Sequence, residues 1–201
     1  GSEERRVGKR VDLGGRRAIN KKTLTFMLQN ISVRFDPVED RLVLKLILKA
    51  AGQHSQEHWL HLTRRTCAHW RQDLQAMVDL SAQAPERLDP AAKRDISSGH
   101  HQAMASQAKM RSESVLDGAP PAHAPLLVMK ITCGRRRSDQ RWVITFERRH
   151  LPALGLILSD QTMHALGRAV TRHIQAAAWA LPPIPMESAP TGPAKEGEPW
   201  H

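Results

Sequence analysis

The chain has 201 residues and a formal net charge of +10, from 30 lysines and arginines against 20 aspartates and glutamates. Its longest apolar run, residues 42–51, contains two lysines and falls far short of the roughly 20 apolar residues of a membrane-spanning helix. Two cysteines are too few for the disulfide framework of a small secreted domain, and no signal-peptide pattern opens the chain, so we expect a cytoplasmic protein.

The first predicted segment is a basic arm. Residues 1–26 hold eight basic and three acidic side chains and show no apolar periodicity, which is typical of a disordered segment. Gly1 and Ser2 resemble a protease scar, and Met27 is a candidate native start. The arm is therefore either a tag or upstream sequence, or a flexible element that contacts the phosphates of a nucleic acid.

Residues 27–83 are predicted to form a hairpin, a third strand and a helix. Apolar side chains alternate with polar or smaller ones over residues 31–35 and 42–48, which predicts the hairpin. Residues 59–62 form a third short strand, and Thr63 begins a helix. The apolar stripe of that helix is Cys67, Trp70, Leu74, Met77 and Leu80.

Residues 84–123 are predicted to be a polar linker that carries a helix. Prolines stand near both ends of the segment, and its middle is rich in alanine, glutamine, lysine and serine. We expect the helix to run from about Pro90 to Met110, with Asp89 as its N-cap, because proline is tolerated in a first turn.

Residues 124–181 repeat the order of the first unit. Alternation over residues 127–133 and 142–146 predicts a second hairpin, and residues 154–158 predict a third strand. Ser159 then caps a helix, whose apolar stripe is Met163, Leu166, Val170, Ile174 and Ala177. Residues 182–201 are rich in proline and predict a disordered tail.

The two units also match at the junction of strand and helix. Residues 60–66 lie over residues 156–162 with a constant offset of 96, and hydroxyl residues occupy the same two places. We therefore predict one α+β domain, residues 27–181, built from a duplicated β-β-β-α unit (27–83 and 124–181) with pseudo-twofold symmetry. Its antiparallel sheet of about six strands packs two helices on one face, because neither helix can bury its stripe alone. In topology this is similar to the PUR-repeat and Whirly single-strand-binding proteins, whose repeats have four strands.

The sheet face that the helices leave open is predicted to be basic. Alternation places on it Arg34, Lys45, Lys49, His61 and Lys130. The same face carries Trp59, a candidate stacking platform for bases, and apolar side chains at Val43, Ile47, Val128, Val143 and Ile157. Either a single-stranded nucleic acid or a second copy of the chain covers this face. We favour a homodimer for its apolar part, because nucleic-acid-binding sheets usually expose more aromatic side chains.

Arginine clusters are the strongest candidate phosphate contacts. Arg64 and Arg65 stand in the first turn of a helix, where the macrodipole favours acids and free backbone N–H groups bind anions. Further arginines follow in the second hairpin turn and after the next strand, namely Arg135, Arg136, Arg137, Arg148 and Arg149. The alternative is that these are ordinary solvated turns and strand ends.

The sequence gives little support for a metal site or a catalytic site. His100 and His101 with Met104 and Met110 would suit a soft ion, and Cys67, His69 and Cys133 could meet in space, but neither set has the paired spacing of a zinc site. Nucleophile elbow, phosphate loop, HExxH and paired carboxylates are missing from the sequence. We expect no metal, no cofactor and no enzymatic activity.

These patterns together favour a non-enzymatic nucleic-acid-binding protein of low sequence specificity, because the arginines suit phosphates and no base-reading motif is visible. Single-stranded nucleic acid is the favoured partner, and a homodimer is the favoured assembly. The competing hypothesis is a protein-interaction or scaffold subunit that uses the open sheet face, in which the basic charge complements an acidic protein partner.

Overall fold

The computed structural model describes residues 23–49, 52, 54–108, 124–182 and 184. Residues 1–22 of the predicted arm, residues 109–123 of the linker and the tail from residue 185 lie outside the described residues, as do residues 50, 51, 53 and 183. The elements in chain order are β1 (Leu24–Asp36), β2 (Arg41–Lys49), β3 (Gln56–Thr63), α1 (Arg64–Ala82), α2 (Pro90–Gln107), β4 (Leu126–Arg135), β5 (Trp142–Arg148), β6 (Leu154–Leu158) and α3 (Asp160–Ala176).

The predicted strands form because alternate side chains are buried on one face of each strand. In β2 the leucines at every second position are fully buried, while Lys45 and Lys49 on the alternate positions keep contact with solvent. The third strands of both units are present, as are both helix starts at Thr63 and Ser159. These local predictions are confirmed.

The six strands close into a barrel in the order β1-β2-β3-β4-β5-β6. Within each half the strands pair antiparallel, but β3 pairs with β4, and β1 with β6, in parallel. The prediction of an antiparallel sheet is therefore wrong, and the sheet is mixed. The physical reason is that the helices after β3 bring the chain back, so that β4 starts in the same direction as β3. Since each half holds three antiparallel strands, β6 then runs in the same direction as β1, and barrel closure pairs these two in parallel. Closure pairs the strands that an open sheet would leave as edges.

Two β-bulges change which side chains face inward. One lies between Leu28 and Asn30 in β1, and the other lies between Val128 and Lys130 in β4. Because each bulge shifts the alternation by one position, Val128 is buried and Met129 is 58% exposed. The prediction that Val128 lies on the open face is therefore wrong.

Strand β1 begins at Leu24, inside the segment assigned to the arm.

The inward side chains of the barrel and the apolar stripes of α1 and α3 form one hydrophobic core. Trp70 of α1 packs edge-on against Phe146 of β5, with their ring centroids 5.7 Å apart. Most of the predicted stripes are buried, whereas Leu80 near the end of α1 is half exposed. The apolar stripes of α1 and α3 are therefore buried in one shared core, as expected.

The helix predicted in the linker forms and packs. It spans Pro90–Gln107, and its N-cap Asp89 accepts hydrogen bonds from the backbone N–H groups of Ala91 and Ala92 at 2.8 and 2.9 Å. This helix, α2, contacts α1 and α3, so that three helices pack together rather than the two predicted. Of the helices that the structure describes, none is long and apolar enough to span a membrane.

Candidate nucleic-acid interface

Both α1 and α3 begin at a hydroxyl cap of the same geometry. The side chain of Thr63 accepts the N–H of Thr66 at 3.2 Å, and that of Ser159 accepts the N–H of Thr162 at 3.2 Å. Strand pairing places a hairpin turn beside each helix start, since Arg41 pairs with Thr63 in one unit and Trp142 pairs with Leu158 in the other. We call the β1–β2 turn (36–41) with the start of α1 the first corner. The β4–β5 turn (135–142) with the start of α3 is the second corner.

The first corner combines a basic helix start with an acidic turn. Arg64 and Arg65 are exposed, and the first turn of α1 contains no acidic residue. The guanidinium of Arg64 donates to the carbonyl oxygen of Ala180 at 3.4 Å. The acidic turn beside it contributes the carboxylates of Asp36, Glu39 and Asp40.

Each carboxylate of the first corner has a local partner. Asp36 accepts the backbone N–H groups of residues 38 and 39, and Glu39 lies 3.6 Å from the guanidinium of Arg41. Asp40 accepts the indole N–H of Trp179 at 2.6 Å. The first corner therefore holds three carboxylates against three guanidiniums, those of Arg41, Arg64 and Arg65.

The second corner reverses this arrangement. Its turn is basic, and α3 begins with Asp160, whose carboxylate accepts the indole N–H of the buried Trp142. An acid at this place is favoured by the helix macrodipole. We call residues 135–141 the arginine turn. It contains four guanidiniums and one carboxylate, from Arg135, Arg136, Arg137, Arg141 and Asp139.

Hydrogen bonds hold the backbone of the arginine turn. The N–H of Arg136 donates to the carbonyl of Arg141 at 2.8 Å, and the N–H of Gln140 donates to the carbonyl of Arg136 at 2.9 Å. Gln140 has φ of 57°, in the left-handed region that such a turn requires. The Nε of Arg135 donates to the Gln140 carbonyl at 2.8 Å, and the Gln140 side chain donates to the Arg137 carbonyl at 3.1 Å.

The charges in the arginine turn do not balance. Arg136 forms a forked ion pair with Asp139, and the Nε of Arg141 lies 3.7 Å from the same carboxylate. The hydrogen bond from Arg136 is the main reason that the pKa of Asp139 falls to about 2. Arg135 stacks over the Trp142 ring, 5.0 Å from its centroid. Arg137 is exposed, and among the described residues it forms no ion pair.

Arg148 and Arg149 lie at the opposite end of β5 from the arginine turn. A strand of this length separates its ends by roughly 20 Å. Arg148 donates from Nε and Nη2 to the carbonyl oxygen of Pro152, at 3.1 and 2.5 Å, and burial lowers its pKa. Arg149 donates to the His150 ring at 3.2 Å. Arg148 and Arg149 therefore lie apart from the arginine turn.

The lysines of the sheet face have acidic neighbours. Lys45 lies 3.0 Å from the Glu57 carboxylate and 5.2 Å from the centroid of the Trp59 ring, whose indole N–H donates to the same Glu57. Lys130 lies 3.7 Å from Glu147. These ion pairs reduce the positive charge of the face, and Lys45 occupies one side of the predicted stacking platform.

The remaining predicted cations of this face are Arg34 and Lys49. Arg34 of β1 is half-buried beside Val43, and its Nε is buried with no hydrogen-bond partner among the described residues. Lys49 is exposed at the end of β2. Val43 is fully buried within the single chain, and Ile47, Val143 and Ile157 are half-buried, so this face exposes less apolar surface than expected.

Sequence reasoning missed one cation and the acidic turn of the first corner. Arg141 belongs to the arginine turn, and its position four residues after Arg137 in the same turn was the signal for it. Only the strand register places the acidic turn beside the start of α1, because Asp36 and Asp40 lie more than twenty residues from Arg64 in sequence.

The histidine and cysteine candidates for a metal site are described in part, because Met110 lies outside the described residues. In the described part of the chain, no group of three His, Cys, Asp or Glu side chains is placed to hold a metal ion. Burial raises the pKa of both Cys67 and Cys133 to about 12, so these thiols stay protonated at neutral pH. His100 and His101 instead pack beside His164 of α3, a neighbour that only the tertiary fold provides.

Comparison with models of protein families, with curated proteins and with solved structures gave no match to this chain.

Proposed function

We propose that this protein binds nucleic acid through phosphate contacts centred on the arginine turn, without enzymatic activity and with low sequence specificity. The observation that supports this most is the surplus of guanidiniums, four against one carboxylate, on a turn whose backbone is held by hydrogen bonds. Guanidiniums bind phosphate oxygens in a forked geometry, and a held turn loses little conformational entropy on binding. The basic arm adds further charge.

Low specificity follows from the kind of contact. Contacts to phosphates position a protein on a nucleic acid but do not read its sequence. Single-stranded nucleic acid remains the preferred partner in this proposal, because a flexible strand can follow a convex barrel surface. A homodimer remains a proposal, and it rests on the half-buried apolar side chains of Ile47, Val143 and Ile157.

The test is fluorescence anisotropy with single-stranded and double-stranded probes over a salt series. The variant Arg137→Gln/Arg141→Gln removes two charges from the arginine turn. The matched control, Arg87→Gln/Arg94→Gln, removes two exposed charges before and within α2. We expect the turn variant to lose about tenfold or more in affinity and the slope of affinity against salt to fall by about one per lost contact. The control should stay within about twofold.

Two outcomes contradict the proposal. One is the absence of salt-dependent binding at about 50 mM salt, where several phosphate contacts give strong affinity. The other is an equal loss in the turn variant and the control, which would indicate a response to net charge alone. Either result favours the competing proposal, an interaction subunit whose basic surface meets an acidic protein.

We also propose that the two β-β-β-α units are copies related by a pseudo-twofold axis. The equal cap distances at Thr63 and Ser159, and the parallel pairing of each third strand with the first strand of the other unit, support this interpretation. Duplication would explain why both corners have the same backbone plan and different charges.

A further inference from the structure

Helix α2 is attached to the rest of the molecule through buried polar side chains. The only side chains of α2 that are buried are Ser97 and His101, whereas α1 and α3 bury apolar stripes. Apolar burial stabilises the docking of those two helices in proportion to the area removed from water. Apolar burial stabilises the docking of α2 much less. The polar contacts of α2 therefore decide whether this helix stays docked.

Those contacts form a chain of four side chains from three helices. The Nδ1 atoms of His101 and His164 lie 2.8 Å apart, and both residues are buried. The Oγ of Ser81, in α1, lies 3.2 Å from Nε2 of His164 and 3.2 Å from Nε2 of His100. The rings of His100 and His164 meet edge-on with centroids 5.2 Å apart.

The contact between the two Nδ1 atoms requires a specific number of protons. One ring must donate its Nδ1–H and the other must accept with a bare Nδ1. If both imidazoles are protonated, two N–H groups and two positive charges face each other across 2.8 Å in a buried site. The docked helix therefore excludes the doubly protonated pair.

We propose that the His101–His164 pair is a pH-sensitive latch, which holds α2 against α1 and α3 at neutral pH and releases it under mildly acidic conditions. A released α2 would leave His164 and the polar Ser81 open to solvent. The device requires no ligand and is independent of the proposed nucleic-acid binding.

Burial and most of the charged neighbours lower the pKa values of both imidazoles. Burial, then the nearby His101 and His100, lower the pKa of His164 to about 4, against a smaller opposite effect of Asp160. Burial, then Arg168 of α3 and His100, also lower the pKa of His101. Both imidazoles are therefore neutral in the docked state at neutral pH.

The sign of the pH dependence follows from these shifts. In the released state the imidazole of His164 returns toward its ordinary pKa of 6.5, so the released state binds protons more strongly than the docked one. Docking is fully stabilised above pH 6.5 and weakens as the pH falls from 6.5 toward about 4. At pH 5, a pKa of about 4 against 6.5 lowers the docking equilibrium by about 30-fold through His164 alone.

Amide hydrogen exchange on the full chain tests the latch. Protection is compared at about pH 7.5 and about pH 5 after correction for the intrinsic exchange rate. We expect residues 90–107 to lose about 30-fold of their protection at the lower pH while β2 and β5 keep theirs. Unchanged protection of α2, or an equal loss over the whole molecule, overturns the proposal.

Two kinds of variant sharpen the result. Glutamine hydrogen-bonds without titrating near neutral pH, so His101→Gln and His164→Gln should flatten the pH response of α2. His69→Gln, at an exposed position of α1, is the matched control and should keep the native response. If the glutamine variants fail to fold, NMR titration of the native imidazoles decides. A His164 ring that titrates near 6.5 in the folded chain would contradict the latch.

Discussion

The two corners of the barrel share one backbone plan and carry opposite charge patterns. In each corner a strand ends at a hydroxyl cap, a helix begins, and a hairpin turn lies alongside. At the first corner the helix start is basic and the turn is acidic, and at the second corner the helix start is acidic and the turn is basic. The comparison shows that two corners with the same backbone plan differ in where they carry their charges.

The corners differ in how many carboxylates accompany their guanidiniums. The first corner holds the carboxylates of Asp36, Glu39 and Asp40 against three guanidiniums, those of Arg41, Arg64 and Arg65. At the second corner Asp160 is bound to Trp142, which leaves Asp139 as the one carboxylate within a turn of four arginines. Only the second corner therefore has a clear surplus of positive charge.

The largest expected effect concerns the buried tryptophan of the second corner. Trp142→Ala should lower the free energy of unfolding by about 3–5 kcal/mol, because it removes a fully buried aromatic ring and leaves a cavity. At the matching place of the first corner, Leu42→Ala should cost about 2–5 kcal/mol. Urea denaturation measures both. A loss below about 1 kcal/mol for Trp142→Ala would contradict the packing described.

Charge reversal should separate the corners in nucleic-acid binding. Arg137→Glu should weaken binding by about tenfold or more, and Arg65→Glu should weaken it by about twofold, because only the first removes charge from the uncompensated turn. Fluorescence anisotropy at about 100 mM salt measures the difference. Equal losses at the two positions would remove the distinction between the corners.

The two helix caps should be equivalent. Thr63→Ala and Ser159→Ala should each lower the free energy of unfolding by about 1 kcal/mol, since each leaves one backbone N–H without its side-chain acceptor. The check is a pair of chemical denaturation curves. Effects that differ by more than about 1 kcal/mol would argue against the shared backbone plan.

The macrodipole should act with opposite sign at the two helix starts. Asp160→Asn should destabilise the protein by about 0.5–1 kcal/mol, because it removes a favourable charge that also accepts the Trp142 N–H. Arg64→Gln should stabilise it by a few tenths of a kcal/mol, roughly the size of one surface dipole interaction. Thermal unfolding at low ionic strength measures both, and the same sign for both variants would refute the prediction.

The smallest effect is the titration of Asp139. Arg136 depresses the pKa of Asp139 to about 2. The stabilisation of the folded state by this carboxylate is therefore present above the ordinary pKa of 3.8 and is lost as the pH falls from 3.8 to about 2. Carboxyl carbon NMR measures the midpoint directly. Arg136→Gln should return the midpoint toward 3.8, and an unchanged midpoint would show that this ion pair does not hold the turn.

Local features of the fold were predictable because they depend on neighbours in sequence. Alternation identified the strands, and Asp89 and Ser159 were identified as caps because a carboxylate or hydroxyl beside a helix start satisfies free N–H groups. Thr63 was expected to begin α1, and it is the N-cap of that helix. The parallel pairings and the barrel closure were not predictable in this way. They join residues far apart in the chain, as Leu24 with Leu154 and Leu60 with Leu126.

The candidate site divides along the same line. The sequence alone determined that arginines cluster at residues 64–65 and 135–137, and that His100 and His101 share a helix, because adjacency in sequence is enough for each statement. Only the tertiary structure decided that an acidic turn lies beside the start of α1, that Arg141 joins the second arginine cluster, and that His164 meets His101 at 2.8 Å. Charge balance and proton sharing depend on distances of a few ångström, and packing sets those distances.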